Sequence, residues 1–228
     1  MAAPADGGTM QAPGGRPPLG AAFELACRAV FRAWCPLAVS GRELLPPGPF
    51  IICSNHQSHL DSVALMTAAG GRFGDFGLLA AKDYFFGRPM TAAALRPLLQ
   101  LIPVPRSADR RALAETLALC RRFVRGRGAS LIIFPEGGRS RDGAMRPFKR
   151  GVAVIAAELG LPVAPACVTG SRAAMPPGAC WPRPGPIEVR FGLPLHPGEA
   201  GEGGPRPFQA AAAELQRRVR ELQATGGG

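Results

Sequence analysis

Short apolar runs alternate with longer segments of helical periodicity, and this alternation is the sequence feature that most constrains the fold. The runs span residues 50–54, 77–81, 101–104, 130–134, 162–168 and 187–191. Turn residues bound them, which is typical of strands buried on both faces of a sheet. Segments with apolar residues at helical spacing span residues 58–69, 91–99, 108–125, 151–159 and 205–224. Alternating strands and helices predict a single α/β domain in which helices flank a largely parallel sheet.

The N-terminal part of the chain divides into two segments. Residues 1–18 are rich in Gly, Pro and Ala and contain no apolar core of signal-peptide length, which predicts a disordered tail. Residues 19–40 place Phe23, Phe31 and Trp34 at helical spacing, which predicts an amphipathic helix. Aromatic residues combined with arginines favour a membrane-surface position, and packing on the core is the alternative interpretation. The folded domain is then predicted at residues 41–224, with a frayed end at residues 225–228.

The charge of the chain restricts the class of partner. The formal net charge is +11 and the pI is about 10.8, so we expect an anionic partner: nucleic acid, an acidic membrane surface or a phosphorylated substrate. One Tyr and two Trp offer little surface for base stacking, and the arginines form no dense run, which argues against nucleic acid. No window reaches the roughly 18 consecutive apolar residues that a membrane span requires, so we expect no helix that crosses a bilayer.

The cysteines indicate the compartment of the protein. The six cysteines form no C-x-x-C pair, and three of them lie in strongly apolar runs, which favours buried free thiols in a reducing, cytosolic compartment. A zinc site would require further His or Cys residues at short spacing, and His59 and His196 have no such neighbours. We therefore predict no metal site.

The most specific candidate site follows the first predicted strand and reads NHQSHLD over residues 55–61. Ligands of open α/β sheets bind at the carboxyl ends of the strands, so His56 is well placed to act on one. A five-residue offset corresponds to about 140° on a regular helix, so His56 meets Asp61 only from the turn ahead of the helix. Ser58 is a suitable N-cap for that helix. Asp61 would then fix the tautomer of His56 and leave its other ring nitrogen to take a proton; the alternative is a structural turn histidine.

A second cluster, PEGGRSR over residues 135–141, follows the strand predicted at residues 130–134. Consecutive glycines let the backbone approach a ligand closely, and Arg139 and Arg141 carry guanidinium groups suited to phosphate. This pattern predicts an anionic ligand, and an ordinary tight turn is the alternative interpretation. Arg106 follows another apolar run and is expected at the same edge of the sheet.

The order of these segments resembles the glycerolipid (PlsC-like) acyltransferase family, whose best-known members acylate glycerol 3-phosphate or lysophosphatidic acid. The resemblance rests on N-H-x-x-x-x-D, a strand ending in Arg, F-P-E-G-x-R-S and a short L-P-V-A-P run, within residues 50–169. The first and third motifs are highly specific when they occur together. The chain departs from the family pattern at Gln100, where Gly is usual, and at Gly138, where Thr is common. Both departures lie in regions that choose the acceptor.

The resemblance implies a role for each matched residue. His56 corresponds to the general base of the family and Asp61 to its orienting partner. The residues that correspond to the family's binding site for the phosphate and glycerol of the acceptor are Arg106, Glu136, Gly137 and Arg139.

These roles imply acyl transfer without a covalent enzyme intermediate and without any cofactor. The expected donor is acyl-CoA or acyl-carrier protein, and the expected acceptor is 1-acyl-glycerol 3-phosphate, which would yield phosphatidic acid. The alternatives are another lysolipid acceptor, such as lyso-ornithine lipid, and a non-enzymatic protein that binds anionic lipid. Because lysolipids reside at the bilayer surface, we expect peripheral attachment to the anionic, cytoplasmic face of the inner (plasma) membrane.

Overall fold

The strands of the described residues form one seven-stranded sheet. The computed structural model describes residues 18–81, 97–104, 110–140, 142–197 and 207–225. The strands are β1 (Leu37–Ser40), β2 (Ile51–Ser54), β3 (Phe76–Ala81), β4 (Gln100–Val104), β5 (Ser130–Ile133), β6 (Val163–Thr169) and β7 (Ile187–Phe191). Their order is β1-β7-β6-β2-β5-β3-β4, and only the pair β6 and β7 is antiparallel among the described strands. The predicted largely parallel α/β sheet is confirmed.

Helices cover both faces of this sheet. They are α1 (Pro18–Ala33), α2 (Leu60–Ala69), α3 (Arg110–Arg127), α4 (Gly151–Leu159), α5 (Ser171–Ala174) and α6 (Pro207–Ala224). Residues of α3, α4 and α6 build the core on one face, where Phe123, Val152 and Leu215 are buried. Residues of α1 and α2 build the core on the other face, where Phe31 and Leu65 are buried.

The central strand β2 explains why its sequence is continuously apolar. It pairs with β5 on one side and with β6 on the other. Ile51 and Cys53 face the first core, and Ile52 faces the second, so the strand is buried on both faces. The carboxyl end of β2 therefore lies in the middle of the sheet, which is where the residues of the first motif emerge.

The N-terminal segment differs from the prediction of one helix over residues 19–40. Helix α1 ends at Ala33, and Leu37–Ser40 forms β1, which pairs in parallel with β7. Pro36 accounts for this end, because proline has no N–H for a helical hydrogen bond and disfavours helical conformation in the residue before it. Phe31 is only 4% exposed, and Phe23 packs against the same core, so much of the predicted membrane face packs on the domain instead. The folded domain begins at α1 and not at residue 41.

Several predictions fall on residues that the structure does not describe. These are the tail at residues 1–17, most of the helix at residues 91–99, and the last three residues of the frayed end. Within the described ranges, no helix combines the length and the apolar character that crossing a bilayer demands.

Candidate active site

His56 lies in the turn that follows β2, with its ring directed at the first turn of α2. Nδ1 of His56 lies 2.9 Å from Oδ2 of Asp61, whose side chain is fully buried. Because an ionised carboxylate can only accept a hydrogen bond, His56 donates its Nδ1–H to Asp61. The structure thus brings the two side chains together as predicted. Nε2 is the ring nitrogen that remains for a substrate.

The turn between the two residues wraps around the Asp61 carboxylate. Oδ2 of Asp61 also accepts the backbone N–H of Gln57 at 2.6 Å and that of Ser58 at 2.8 Å. The Ser58 hydroxyl accepts the N–H of Leu60, the first residue of α2, at 3.2 Å, although the N-cap position itself is His59. These bonds explain how residues five positions apart can meet: the backbone between them is not yet helical.

The segment after β5 holds the backbone of His56 from the other side. The His56 N–H donates to Oε1 of Glu136 at 2.7 Å, and the His56 carbonyl accepts the N–H of Ser140 at 2.9 Å. The imidazole stacks on the Phe134 ring, with 4.0 Å between ring centroids and 13° between planes. The His56 side chain keeps 17% of its surface exposed. The His56 ring is therefore fixed in position and still partly exposed.

Glu136 is placed differently from its expected role in acceptor binding. Its side chain is buried, and its second oxygen, Oε2, accepts the backbone N–H of Arg146 at 2.9 Å. Burial raises the pKa of the Glu136 carboxyl, while the two N–H donors act in the opposite direction. Because both oxygens are bonded to the protein backbone, this side chain holds the His56 turn and the Arg146 segment together.

The two glycines of the second cluster serve different purposes. Gly137 has φ +73°, and a Cβ at this position would lie 2.6 Å from Nζ of Lys149. The conformation therefore favours glycine, whereas the flexible end of the Lys149 side chain can move aside for a Cβ. A Cβ at Gly138 would meet only Nη1 of Arg146, at an ordinary 3.6 Å. The space around Gly138 therefore does not require glycine in place of Thr. Gly137 shapes the turn and has no side chain that could contact an acceptor.

Arg139 directly follows this turn and supplies positive charge near His59. The pKa of His59 is lowered to about 4 by partial desolvation, followed by the charges of Arg139 and His56. The charges of Arg139 and His56 therefore both act on His59, which is exposed at the start of α2. Arg106 and Arg141 lie outside the described residues.

Two positioning residues had no predicted role. The Asn55 amide donates to the Val168 carbonyl at 2.9 Å and accepts the Val168 N–H at 2.8 Å, so it extends the pairing of β2 with β6 beyond the strand. The Gln57 amide donates to the Gly143 carbonyl at 2.8 Å. The sequence signal for Asn55 is its polar side chain directly after a buried apolar strand. A buried amide requires hydrogen-bond partners for both its oxygen and its nitrogen, so this position indicates a structural role.

Comparisons with known proteins agree with this geometry. A family model described as Acyltransferase matches residues 36–169, which is more than half of the chain. The chain belongs to this acyltransferase family. The match spans β1 to β6 and contains both motif clusters. The resemblance inferred from the motifs is therefore confirmed at the level of the family.

Named relatives share one description. The 1-acyl-sn-glycerol-3-phosphate acyltransferase of Pseudomonas aeruginosa is 32% identical over 211 residues, covering 86% of this chain and 76% of that protein. The chloroplastic 1-acyl-sn-glycerol-3-phosphate acyltransferase BAT2 of Brassica napus is 36% identical over 143 residues, covering 62% of this chain. This match spans only 39% of the Brassica napus protein.

A solved structure supports the fold. The crystal structure of the 1-acyl-sn-glycerophosphate (LPA) acyltransferase PlsC from Thermotoga maritima superposes with a TM-score of 0.65 at 27% sequence identity. The superposition covers 90% of this chain and 79% of that protein. The arrangement of α1 and the sheet therefore belongs to a fold that this family is known to adopt.

Proposed function

We propose that this protein transfers a fatty acyl group from a thioester donor to the free hydroxyl of 1-acyl-glycerol 3-phosphate, yielding phosphatidic acid for phospholipid synthesis. The observation that carries the proposal is the bond of 2.9 Å between His56 Nδ1 and Asp61 Oδ2, in a turn anchored on both sides. Relatives named 1-acyl-sn-glycerol-3-phosphate acyltransferases support the same reaction. The donor is acyl-CoA or acyl-carrier protein.

The proposed mechanism uses His56 first as a base and then as an acid. Nε2 takes the proton of the acceptor hydroxyl while the hydroxyl oxygen attacks the thioester carbonyl. Asp61 stabilises the imidazolium that forms, because Oδ2 already accepts the Nδ1–H. When the tetrahedral intermediate collapses, the C–S bond breaks and the proton on Nε2 passes to the departing sulfur. The products are the ester and the free thiol, and His56 is regenerated.

Arg139 is the described residue best suited to the acceptor's phosphate. It is half-buried, and its charge acts on His59, as the charge of His56 does. A guanidinium can bind phosphate through two parallel N–H donors. Since the phosphate lies only a glycerol unit from the reacting hydroxyl, a cation beside His56 would orient that hydroxyl toward Nε2.

We further propose that the protein acts as a peripheral protein on the anionic, cytoplasmic face of the inner membrane. Leu25 on α1 is 71% exposed and Trp181 is 72% exposed. Trp34 is also exposed, and its Nε1–H donates to the Pro182 carbonyl at 2.9 Å, so the two tryptophans belong to adjoining segments. Exposed Leu and Trp together with a net charge of +11 suit an anionic headgroup layer.

The deciding experiment offers the purified protein a mixture of lysolipids with acyl-CoA, and in parallel with acyl-carrier protein. Mass spectrometry then identifies the acylated product. We expect phosphatidic acid to form with the wild-type protein and not with the His56→Ala variant. Acylation of a lysolipid without phosphate in preference to lysophosphatidic acid would refute the proposed acceptor. Equal activity of the His56→Ala variant would refute the mechanism.

A further inference from the structure

An open groove of about 470 Å³ lies beside the candidate active site, on the side of Glu136 away from the His56 turn. Glu136 forms part of its wall, and through Oε1 the same side chain holds the His56 backbone. The remaining lining comes from the segment that precedes α4 and from the start of α6: Arg146, Pro147, Phe148, Lys149, Arg150 and Gln209. The groove and the base are thus separated by one side chain.

The groove carries concentrated positive charge. Arg146, Lys149 and Arg150 are exposed, and among the described residues their side chains form no ion pair or hydrogen bond. The Glu136 carboxylate offsets only part of this charge, because it is one anion beside three cations and its two oxygens already accept backbone N–H groups. Helix α4 begins at Gly151, so the partial positive charge of a helix N-terminus adds to these three cations. The net positive charge of the groove therefore favours binding of an anion.

The backbone fixes the place of these cations. The Arg146 N–H donates to Glu136, and the Lys149 N–H donates to the Pro135 carbonyl at 3.0 Å. The Lys149 ammonium lies against Gly137, and the Arg146 guanidinium lies against Gly138. The Gly137–Gly138 turn thus lies against two cations of the groove, while the charge of Arg139, which follows the turn, acts on His59.

We infer that this groove binds a phosphate group of the thioester donor, while Arg139 serves the phosphate of the acceptor. The inference rests on the proposed function, because a reaction between two phosphate-bearing substrates requires two anion sites. The acceptor's phosphate must stay within a glycerol unit of the base. In the donor, a long pantetheine arm separates the phosphate from the reacting thioester. The donor's phosphate can therefore bind in a groove that Glu136 separates from His56. Coenzyme A and the prosthetic group of carrier proteins share this chemistry.

The test compares donors with and without phosphate in a variant that lacks two of the three groove cations. The double variant Lys149→Met and Arg146→Met removes these two charges while keeping unbranched side chains and the two backbone N–H donors. We expect its KM for acyl-CoA to rise about tenfold, since two charge-assisted contacts are lost. Its KM for lysophosphatidic acid should stay within about twofold of the wild-type value. With acyl-pantetheine, which carries no phosphate, the variant and the wild type should behave alike.

Reciprocal and matched controls accompany this variant. Arg139→Ala should raise the KM for lysophosphatidic acid and leave the KM for acyl-CoA unchanged. Arg125→Ala removes an exposed arginine of α3 outside the groove and should change neither constant. The inference is overturned if the double variant is equally impaired with acyl-pantetheine, or if its KM rises for the acceptor and not for the donor.

Two further experiments distinguish the pantetheine phosphate from the nucleotide phosphates of CoA, and the groove assignment from the proposed function. Acyl-4′-phosphopantetheine carries only the phosphate that CoA and carrier protein share. A loss with this donor assigns the groove to that phosphate, and a loss with acyl-CoA alone assigns it to the nucleotide phosphates. Titration of CoA into both proteins, followed by calorimetry, measures the groove without turnover. Absent transfer in the wild type would refute the proposed function, whereas equal CoA affinities of wild type and variant would refute the groove assignment.

Discussion

Two regions meet at Glu136, and they differ in how their polar groups are satisfied. In the His56 turn, the backbone of His56 is bonded at both its N–H and its carbonyl, and Asp61 Oδ2 accepts three hydrogen bonds. In the groove, the backbone N–H groups of Arg146 and Lys149 are bonded in the same way, but their charged ends have no partner among the described residues.

The difference agrees with the two roles that we propose for these regions. Proton transfer requires the base to stay within hydrogen-bond reach of the reacting proton, so the turn commits its polar groups to holding one ring. Anion binding requires charge that is not already neutralised, so the groove fixes the backbone and leaves the ends of the side chains available. Changes in the turn should therefore reduce kcat, and changes in the groove should raise a KM.

The largest expected effect is that of His56→Ala. Removal of the base should lower kcat by about 10² to 10⁴ or more. The fold should persist, because the backbone groups of His56 that bond to Glu136 and Ser140 remain in alanine. Steady-state kinetics, with thermal unfolding as the control for folding, measures both. Retention of more than about a tenth of the activity would contradict general-base catalysis by His56.

Glu136→Gln should have the next largest effect, and it tests whether Glu136 positions the His56 turn or contacts the acceptor, as the family resemblance implies. The amide can accept only one of the two N–H groups and turns a donor toward the other. Loss of a hydrogen bond to a charged group costs about 1.5 to 3 kcal/mol, so we expect kcat to fall about 10- to 100-fold.

The two constants distinguish the possible roles of Glu136. A positioning residue should change kcat and leave the KM for the acceptor within about twofold. A direct contact with the acceptor would instead raise that KM at nearly constant kcat, as the family resemblance implies. Glu115→Gln, at an exposed position on α3, is the matched control and should change neither constant.

The sequence predicted the fold where local patterns and tertiary contacts agree. The strands buried on both faces appeared as apolar runs, and α4 and β7 have the predicted bounds. β1 was missed because the short apolar segment Leu37–Ser40 directly follows the helical pattern and was assigned to it, and its pairing with β7 is a long-range contact that local periodicity does not reveal. The face of α1 that packs on the core could not be separated from a membrane face, since both require the same periodic pattern.

The site was predictable to a similar extent. The meeting of His56 with Asp61 followed from spacing and from a helix start expected next to Ser58, which are local properties. The role of Glu136 did not follow, because its partners at His56 and Arg146 lie in segments that only the sheet order brings together. A carboxylate in a motif does not indicate by itself whether it contacts a substrate or the backbone.

A pair of glycine variants sharpens the contrast through stability. Gly137→Ala forces a residue with a Cβ to adopt φ +73°, while the flexible Lys149 side chain can move aside, so we expect a loss of about 1 to 2 kcal/mol in the free energy of unfolding. Gly138→Ala meets nothing closer than 3.6 Å and should change stability by less than about 0.5 kcal/mol. Denaturant unfolding compares the two. Equal losses would show that the turn is not constrained at Gly137.

The smallest expected effect applies the same contrast within α1, where Phe31 is buried and Leu25 is 71% exposed. Leu25→Ser removes apolar surface that contacts no core, so the free energy of unfolding should change by less than about 0.5 kcal/mol. If α1 faces the headgroup layer, the variant should bind anionic vesicles about threefold more weakly, which corresponds to partial burial of one leucine side chain. Leu113→Ser, at an exposed position on α3, is the matched control and should leave vesicle binding unchanged. The wild-type affinity should also fall with added salt, because the electrostatic part is screened over about 8 to 10 Å. Undiminished vesicle binding by Leu25→Ser would move the docking surface away from α1 and toward the exposed Trp181 segment.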